Sequence, residues 1–176
     1  MKHYFLETSA FVKLFVQESG TEFLVRLAEN VEDTRKLVSS LAALEVRAAF
    51  LRRMRQGRLS EDQTRSLLDA VTSESNRIVE QPVNASVLEL TRYVLDRHPL
   101  NTVQGIHLAT ALTARDILQL TEVVFVSSDA DLIEAATAEG LKVLNPEKVT
   151  DADLEEDVLN EDAEEDSEDD NFGNRV

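Results

Sequence analysis

The sequence predicts a three-layer α/β/α fold, a mostly parallel five-stranded sheet with helices on both faces. Two observations predict it. Short apolar, β-rich runs alternate with helical stretches, which is the signature of βαβ units and a parallel sheet. The runs at residues 4–6 and 123–126 contain no charged residue, as strands buried on both faces require. No repeat of about 20–50 residues runs through the chain, so a solenoid is excluded.

The elements follow in order. Strands are expected at His3–Leu6, Lys36–Ser39, Arg77–Glu80, Val123–Ser127 and Leu141–Leu144, where short apolar runs stand between helical stretches. Helices are expected at Ala10–Gln17, Thr21–Asn30, Leu41–Gln56, Glu61–Ser75, Ala85–Asp96, Val103–Ala114 and Asp131–Ala138. Ser60, followed by Glu61 and Asp62, reads as an N-cap with acidic first-turn residues. Asn84 and Asn101 are further cap candidates, and Gly140 closes the last helix. Phe11, Phe15 and Phe23 form an apolar surface that serves either the core or a dimer.

Charge divides the chain in two. Residues 1–150 read as one globular domain, with enough hydrophobic content (43% overall) for a sizeable core. Residues 151–176 hold 13 of the 34 acidic residues and a single arginine. Of the net −16, the last 26 residues therefore carry −12 and the body only −4. Such a segment has too few apolar residues to fold and is expected to be a disordered acidic tail. It either aids solubility, competes with RNA for a basic groove, or docks on a basic partner. Any nucleic-acid contact must be local, because the chain as a whole repels a polyanion. The absence of cysteine excludes disulfides, thiol catalysis and thiolate metal sites. No apolar run approaches the roughly 20 residues of a membrane span, and no signal-peptide pattern opens the chain, so a soluble cytoplasmic protein is expected.

Several carboxylates stand where such a sheet places its sites. Glu7 directly follows the first strand, and Asp129 follows the fourth, so both fall at strand C-termini. Asp131 lies two residues further on. Glu45 shares one helical stripe with Leu41 and Ala48, and a carboxylate there is costly to bury without a cation. Acids grouped without Cys or a His pair suit Mg²⁺ or Mn²⁺, which activate water for phosphodiester hydrolysis. For Asp129 alone the ordinary reading is a helix N-cap, and for Glu45 alone a salt bridge to a nearby Arg. His107, one turn after Gln104, reads as a packed histidine. Arg47, Arg52, Arg53, Arg55 and Arg58 extend from the helix bearing Glu45; Arg52 and Arg53 are the candidate RNA-binding residues, or the cluster receives an acidic partner or the chain's own tail.

The run from Tyr4 to Phe15 resembles the opening of PIN-domain proteins of the VapC toxin type: an apolar strand, an Asp, then Thr/Ser-Ser-Ala, two hydrophobic residues and Lys-Leu. Ser40–Val46 resembles their second motif, which ends in a Glu, and Gln104–Ala111 their third. Phe125–Leu132 resembles the fourth and Gly140–Pro146 the closing strand. The resemblance implies Mg²⁺-dependent cleavage of RNA by a toxin held by an antitoxin, usually as a homodimer. It matches Glu45 and Asp129 to the family's second and fourth acids, and Ser9 and Ser127 to hydroxyls beside the metal. Glu7 and Gln104 stand where the family has Asp. Glu is longer and more flexible than Asp, and the Gln amide brings no charge and cannot act as a base. The implied catalytic set is therefore Glu7, Glu45, Gln104 and Asp129, and the implied metal set Glu7, Glu45, Asp129 and Asp131. Weak Mg²⁺ or Mn²⁺ binding and attenuated or absent nuclease activity are expected. The alternative is an inactive PIN-like module that binds RNA or protein.

Overall fold

A computed structural model describes residues 2–29, 34–117, 119 and 123–149. The acidic tail expected at 151–176 lies outside the described residues. The strands are β1 (Lys2–Leu6), β2 (Thr34–Ser39), β3 (Val79–Gln81), β4 (Val123–Val126) and β5 (Lys142–Leu144). The helices are α1 (Thr8–Phe11), α2 (Thr21–Glu29), α3 (Ala42–Arg55), α4 (Glu61–Ser75), α5 (Ala85–Arg97), α6 (Thr102–Ile117) and α7 (Ala130–Ala138). All four strand pairings are parallel, and the strands lie in the order β3-β2-β1-β4-β5.

Strand alternation sends side chains to opposite faces. Tyr4, Leu6, Val38, Val124 and Val126 face the layer built from α1 to α4, where Phe11, Val46 and Phe50 are buried. Phe5, Leu37, Val123 and Phe125 face α5 to α7, with Val87, Leu108 and Leu132. Phe5 and Phe125 stack across neighbouring strands at 5.7 Å between centroids. Phe11 and Phe23 are buried, and Phe15 packs edge-on against Phe11 at 5.1 Å. Those three phenylalanines therefore belong to the core.

The caps act as their chemistry requires. Ser60 and Gln63 form a reciprocal capping box at α4, and Asn84 caps α5 through the Val87 amide. Asn101 accepts from the Val103 and Gln104 amides at the start of α6. Gly140, at φ +78°, ends α7. The expected helix Ala10–Gln17 is different. It starts earlier, at Thr8, because the Glu7 side chain caps it, and it tightens into a 3-10 turn at Val12–Leu14. Gly20 follows at φ +85°, where a Cβ would sit 2.5 Å from the Pro146 carbonyl oxygen. The chain after α1 is thereby packed tightly against the segment after β5.

Opposite the strand C-termini, Glu139 ties α7 to α5. It accepts from His98 Nε2 at 2.8 Å and Arg97 Nε at 3.0 Å. The His98 bond outweighs burial and, with Arg97, lowers the Glu139 carboxyl below its ordinary 4.5. A depressed carboxylate stabilises the fold above its unfolded pKa, and that stabilisation is lost as pH falls through the folded value. Glu139→Gln should cost about 1–2 kcal/mol near pH 7. The cost should shrink below pH 4 in urea unfolding, and a pH-independent cost would contradict the assignment.

Candidate active site

The strand order reverses between β1 and β4, and crevices at such switch points, beyond the strand C-termini, are where open α/β sheets bind ligands. Glu7 leaves β1 at this point, and Ser127 to Asp129 leave β4 beside it. Glu7 is buried and its Oε2 accepts three hydrogen bonds. They come from the Ser9 hydroxyl (2.6 Å), the Ser9 amide (2.9 Å) and the Ser127 hydroxyl (3.1 Å). Ser9 Oγ in turn accepts from the Ser128 amide, and Ser127 Oγ from the Asp129 amide. The two serines thus stitch the ends of β1 and β4 together through the Glu7 carboxylate.

Asp129 caps α7: its Oδ1 accepts from the Leu132 amide at 3.0 Å. Its other oxygen, Oδ2, accepts from Gln104 Nε2 at 2.8 Å. The Gln104 carbonyl meanwhile accepts from the Asn101 amide at 2.8 Å, so both ends of the side chain are fixed. Asp129 is at once the cap and a site residue.

Glu45 enters from the first turn of α3. Its Oε2 accepts from the Thr8 hydroxyl at 2.6 Å and lies 2.5 Å from His107 Nε2. Because Thr8 gives its proton to Glu45, the imidazole gives its own through Nε2. His107 is 1% exposed, and its Nδ1 has no hydrogen-bond partner among the described residues. Burial alone would raise the Glu45 carboxyl, but the bonds from His107 and Thr8 outweigh it and hold the pKa below 4.5. Two features escaped the sequence: Thr8, whose signal was only its place beside Glu7, and the direct bond of His107 to Glu45.

Glu7, Ser9, Ser127, Asp129 and Gln104 are thus linked at the ends of β1 and β4, and Glu45 joins Thr8, next to Glu7, and His107, one turn after Gln104. Asp131 sits exposed on the first turn of α7, with no hydrogen bond to this group among the described residues. Arg52 is exposed on α3, whereas Arg53 is half-buried and lies 3.7 Å from Glu18. Arranged this way, the donors fit a Mg²⁺ ion poorly, since it demands near-octahedral oxygen ligation. One oxygen of Glu7, one of Glu45 and both of Asp129 accept from protein donors, one position is a neutral amide, and no three acidic or histidine side chains lie close enough for a shared ion among the described residues.

Residues 4–138 match the family model described as PIN domain. The chain belongs to the PIN-domain family. This PIN-domain chain is 32% identical over 142 residues to Ribonuclease VapC35 of Mycobacterium tuberculosis, in both the CDC 1551 / Oshkosh and the ATCC 25618 / H37Rv strains. The match covers 81% of this chain and 96% of the relative. Among solved structures the fold is similar to FitAB bound to a DNA fragment, with a TM-score of 0.58 at 16% identity, covering 84% of this chain and 97% of that one. It is also similar to VapBC2 from Rickettsia felis bound to a DNA fragment from their promoter, with a TM-score of 0.57 at 15% identity over 81% and 98%. VapBC-1 from nontypeable Haemophilus influenzae gives 0.58 at 13% over 83% and 99%. These structures establish the PIN architecture, in agreement with the five parallel strands. No helix among the described residues is long and apolar enough to cross a membrane.

Proposed function

We propose that this chain is a VapC-type PIN ribonuclease of attenuated activity, the toxin-like member of a toxin–antitoxin pair. The ribonuclease relative, matched over nearly its whole length, supports RNA as the substrate class. The VapBC assemblies among the fold neighbours support an antitoxin partner, and a homodimer is the assembly we expect. Glu7, Glu45 and Asp129 are the groups that would hold Mg²⁺ or Mn²⁺, with Asp131 reaching the rim. Such an ion supplies an activated water and neutralises phosphate charge. Ser9 and Ser127 position Glu7, and Arg52 and Arg53 guide the RNA backbone.

The Gln104–Asp129 bond carries the claim of attenuation. At 2.8 Å it places an amide proton on Asp129 Oδ2, the carboxylate oxygen not used in capping α7. An ion at that oxygen must share its lone pairs with the amide proton, and Gln104 offers no charge in return. Metal affinity and hydrolysis therefore fall together. The same observation favours a second reading, a non-cleaving PIN module that binds RNA or an antitoxin.

Cleavage of a mixed RNA pool in Mn²⁺ separates the two. The unaltered chain is compared with Glu7→Asp/Gln104→Asp. Slow cleavage by the unaltered chain, abolished by Asp129→Asn and accelerated in the double variant, supports an attenuated ribonuclease. Cleavage only by the double variant supports the non-cleaving module. Full activity in the unaltered chain, insensitive to Asp129→Asn, would remove both readings.

A further inference from the structure

Beyond Glu45, α3 exposes Arg47, Arg52 and Arg55, with Ala48 between them. At 3.6 residues per turn, Arg47, Arg55 and Arg52 fall within a sector about 140° wide. All three are exposed, as is Arg58 just beyond the helix. Among the described residues none of the four is paired with a carboxylate. Arg53, on the flank, differs: it lies 3.7 Å from Glu18.

That flank leads to the point where the described chain ends. Glu18 lies 3.4 Å from Lys13, and Lys13 lies 2.8 Å from Glu147. Lys13 is buried, so it fixes Glu147 firmly, and the pairing with Lys13 holds the Glu147 carboxyl low. Two residues on, Val149 packs against the core layer that contains Val46 and Phe50 of α3. A relay of charges, Glu147–Lys13–Glu18–Arg53, thus runs from the exit of the chain to the arginine helix. Val149, the last described residue, lies on the α3 side of the sheet.

The sequence that follows complements the helix. Residues 155–170 contain 11 acidic side chains and no basic one. The body, near −4 overall, offers this polyanion few attractive places. Even ten extended residues span about 33 Å, while the 14 residues of α3 cover only about 21 Å. A covalently attached partner also meets its site at high effective concentration.

We propose that the acidic segment 155–170 docks in cis along the Arg47–Arg52–Arg55 face of α3, an internal polyanion on the basic face beside the crevice. If the ribonuclease reading above holds, this segment competes there with RNA; the docking itself does not depend on that reading.

The test uses the full-length chain and no RNA. The protein has no cysteine, so Ser167→Cys gives a unique site for a nitroxide label. Amide signals of the isotopically enriched protein then report where the label comes close. At low salt the residues 47–58 should lose at least about half their intensity relative to α5 and α6. The loss should vanish near 0.5 M salt, where screening acts within a few ångströms. It should also vanish in Arg52→Gln/Arg55→Gln, a milder change than charge reversal. Even broadening over the whole surface, broadening centred on α5 to α7, or broadening unchanged by the arginine substitutions would overturn the proposal.

Discussion

His107→Ala is expected to destabilise the fold by about 3–4 kcal/mol. Two costs combine. The imidazole is 1% exposed, so its removal leaves a cavity between α6 and the sheet end. It also donates to a half-buried carboxylate at 2.5 Å, and hydrogen bonds to charged groups are worth about 1.5–3 kcal/mol each. Glu45 would then face its burial with Thr8 as the remaining donor of the pair. The pH dependence fixes the attribution. The lowered Glu45 pKa means that its contribution is complete above 4.5 and lost as pH falls through the folded value. In His107→Ala the main bond lowering the Glu45 pKa is gone, so the pH-dependent stability Glu45 contributes shrinks and the acid limb of the stability curve flattens. Urea unfolding from pH 3 to 7 measures both. A cost below about 1 kcal/mol, or an acid limb as steep as in the unaltered chain, would contradict the pairing.

Gly20→Ala is expected to cost about 2–3 kcal/mol, seen as a fall in Tm of roughly 5–10 °C. At φ +85° an L side chain is strained wherever it points. Here the new Cβ also lies 2.5 Å from the Pro146 carbonyl oxygen and 2.6 Å from its carbon. Backbone atoms cannot swing aside as a flexible side chain does. The loop after the 3-10 turn must therefore separate from the segment after β5, weakening the Lys13–Glu147 pair that closes the same junction. Calorimetric melting decides this, and a Tm change under about 2 °C would show that the junction yields freely.

The sheet was largely legible because its signal is local. An uninterrupted run such as Val123–Val126 specifies a buried strand without reference to anything distant. The caps at Ser60 and Asn84 were equally local, each depending on residues within one turn. The first helix was misjudged because its cap is a Glu, a residue read from the sequence as a metal ligand and not as a helix start. Of the candidate site, the sequence suggested which residues stand near the strand ends and not how they bond. Glu7, Glu45 and Asp129 could be placed together from strand ends and motif order. Their bonding could not, since Gln104 reaches Asp129 across 25 positions and His107 reaches Glu45 across 62. Whether a carboxylate faces an ion or a neighbouring donor is decided by side-chain directions that only the folded arrangement sets. A glutamine at 104 foretold a missing charge; it did not foretell that the amide would take the aspartate oxygen for itself.

The central claim is that hydrogen bonds within the crevice have taken the place of a tightly held divalent ion. Calorimetric titration of the full-length chain with Mn²⁺ tests it most directly, beside Glu7→Asp/Gln104→Asp. The account predicts no binding tighter than about millimolar in the unaltered protein, and a gain of at least tenfold, about 1.4 kcal/mol, in the double variant. Micromolar binding by the unaltered chain, lost on Asp129→Asn, would contradict it.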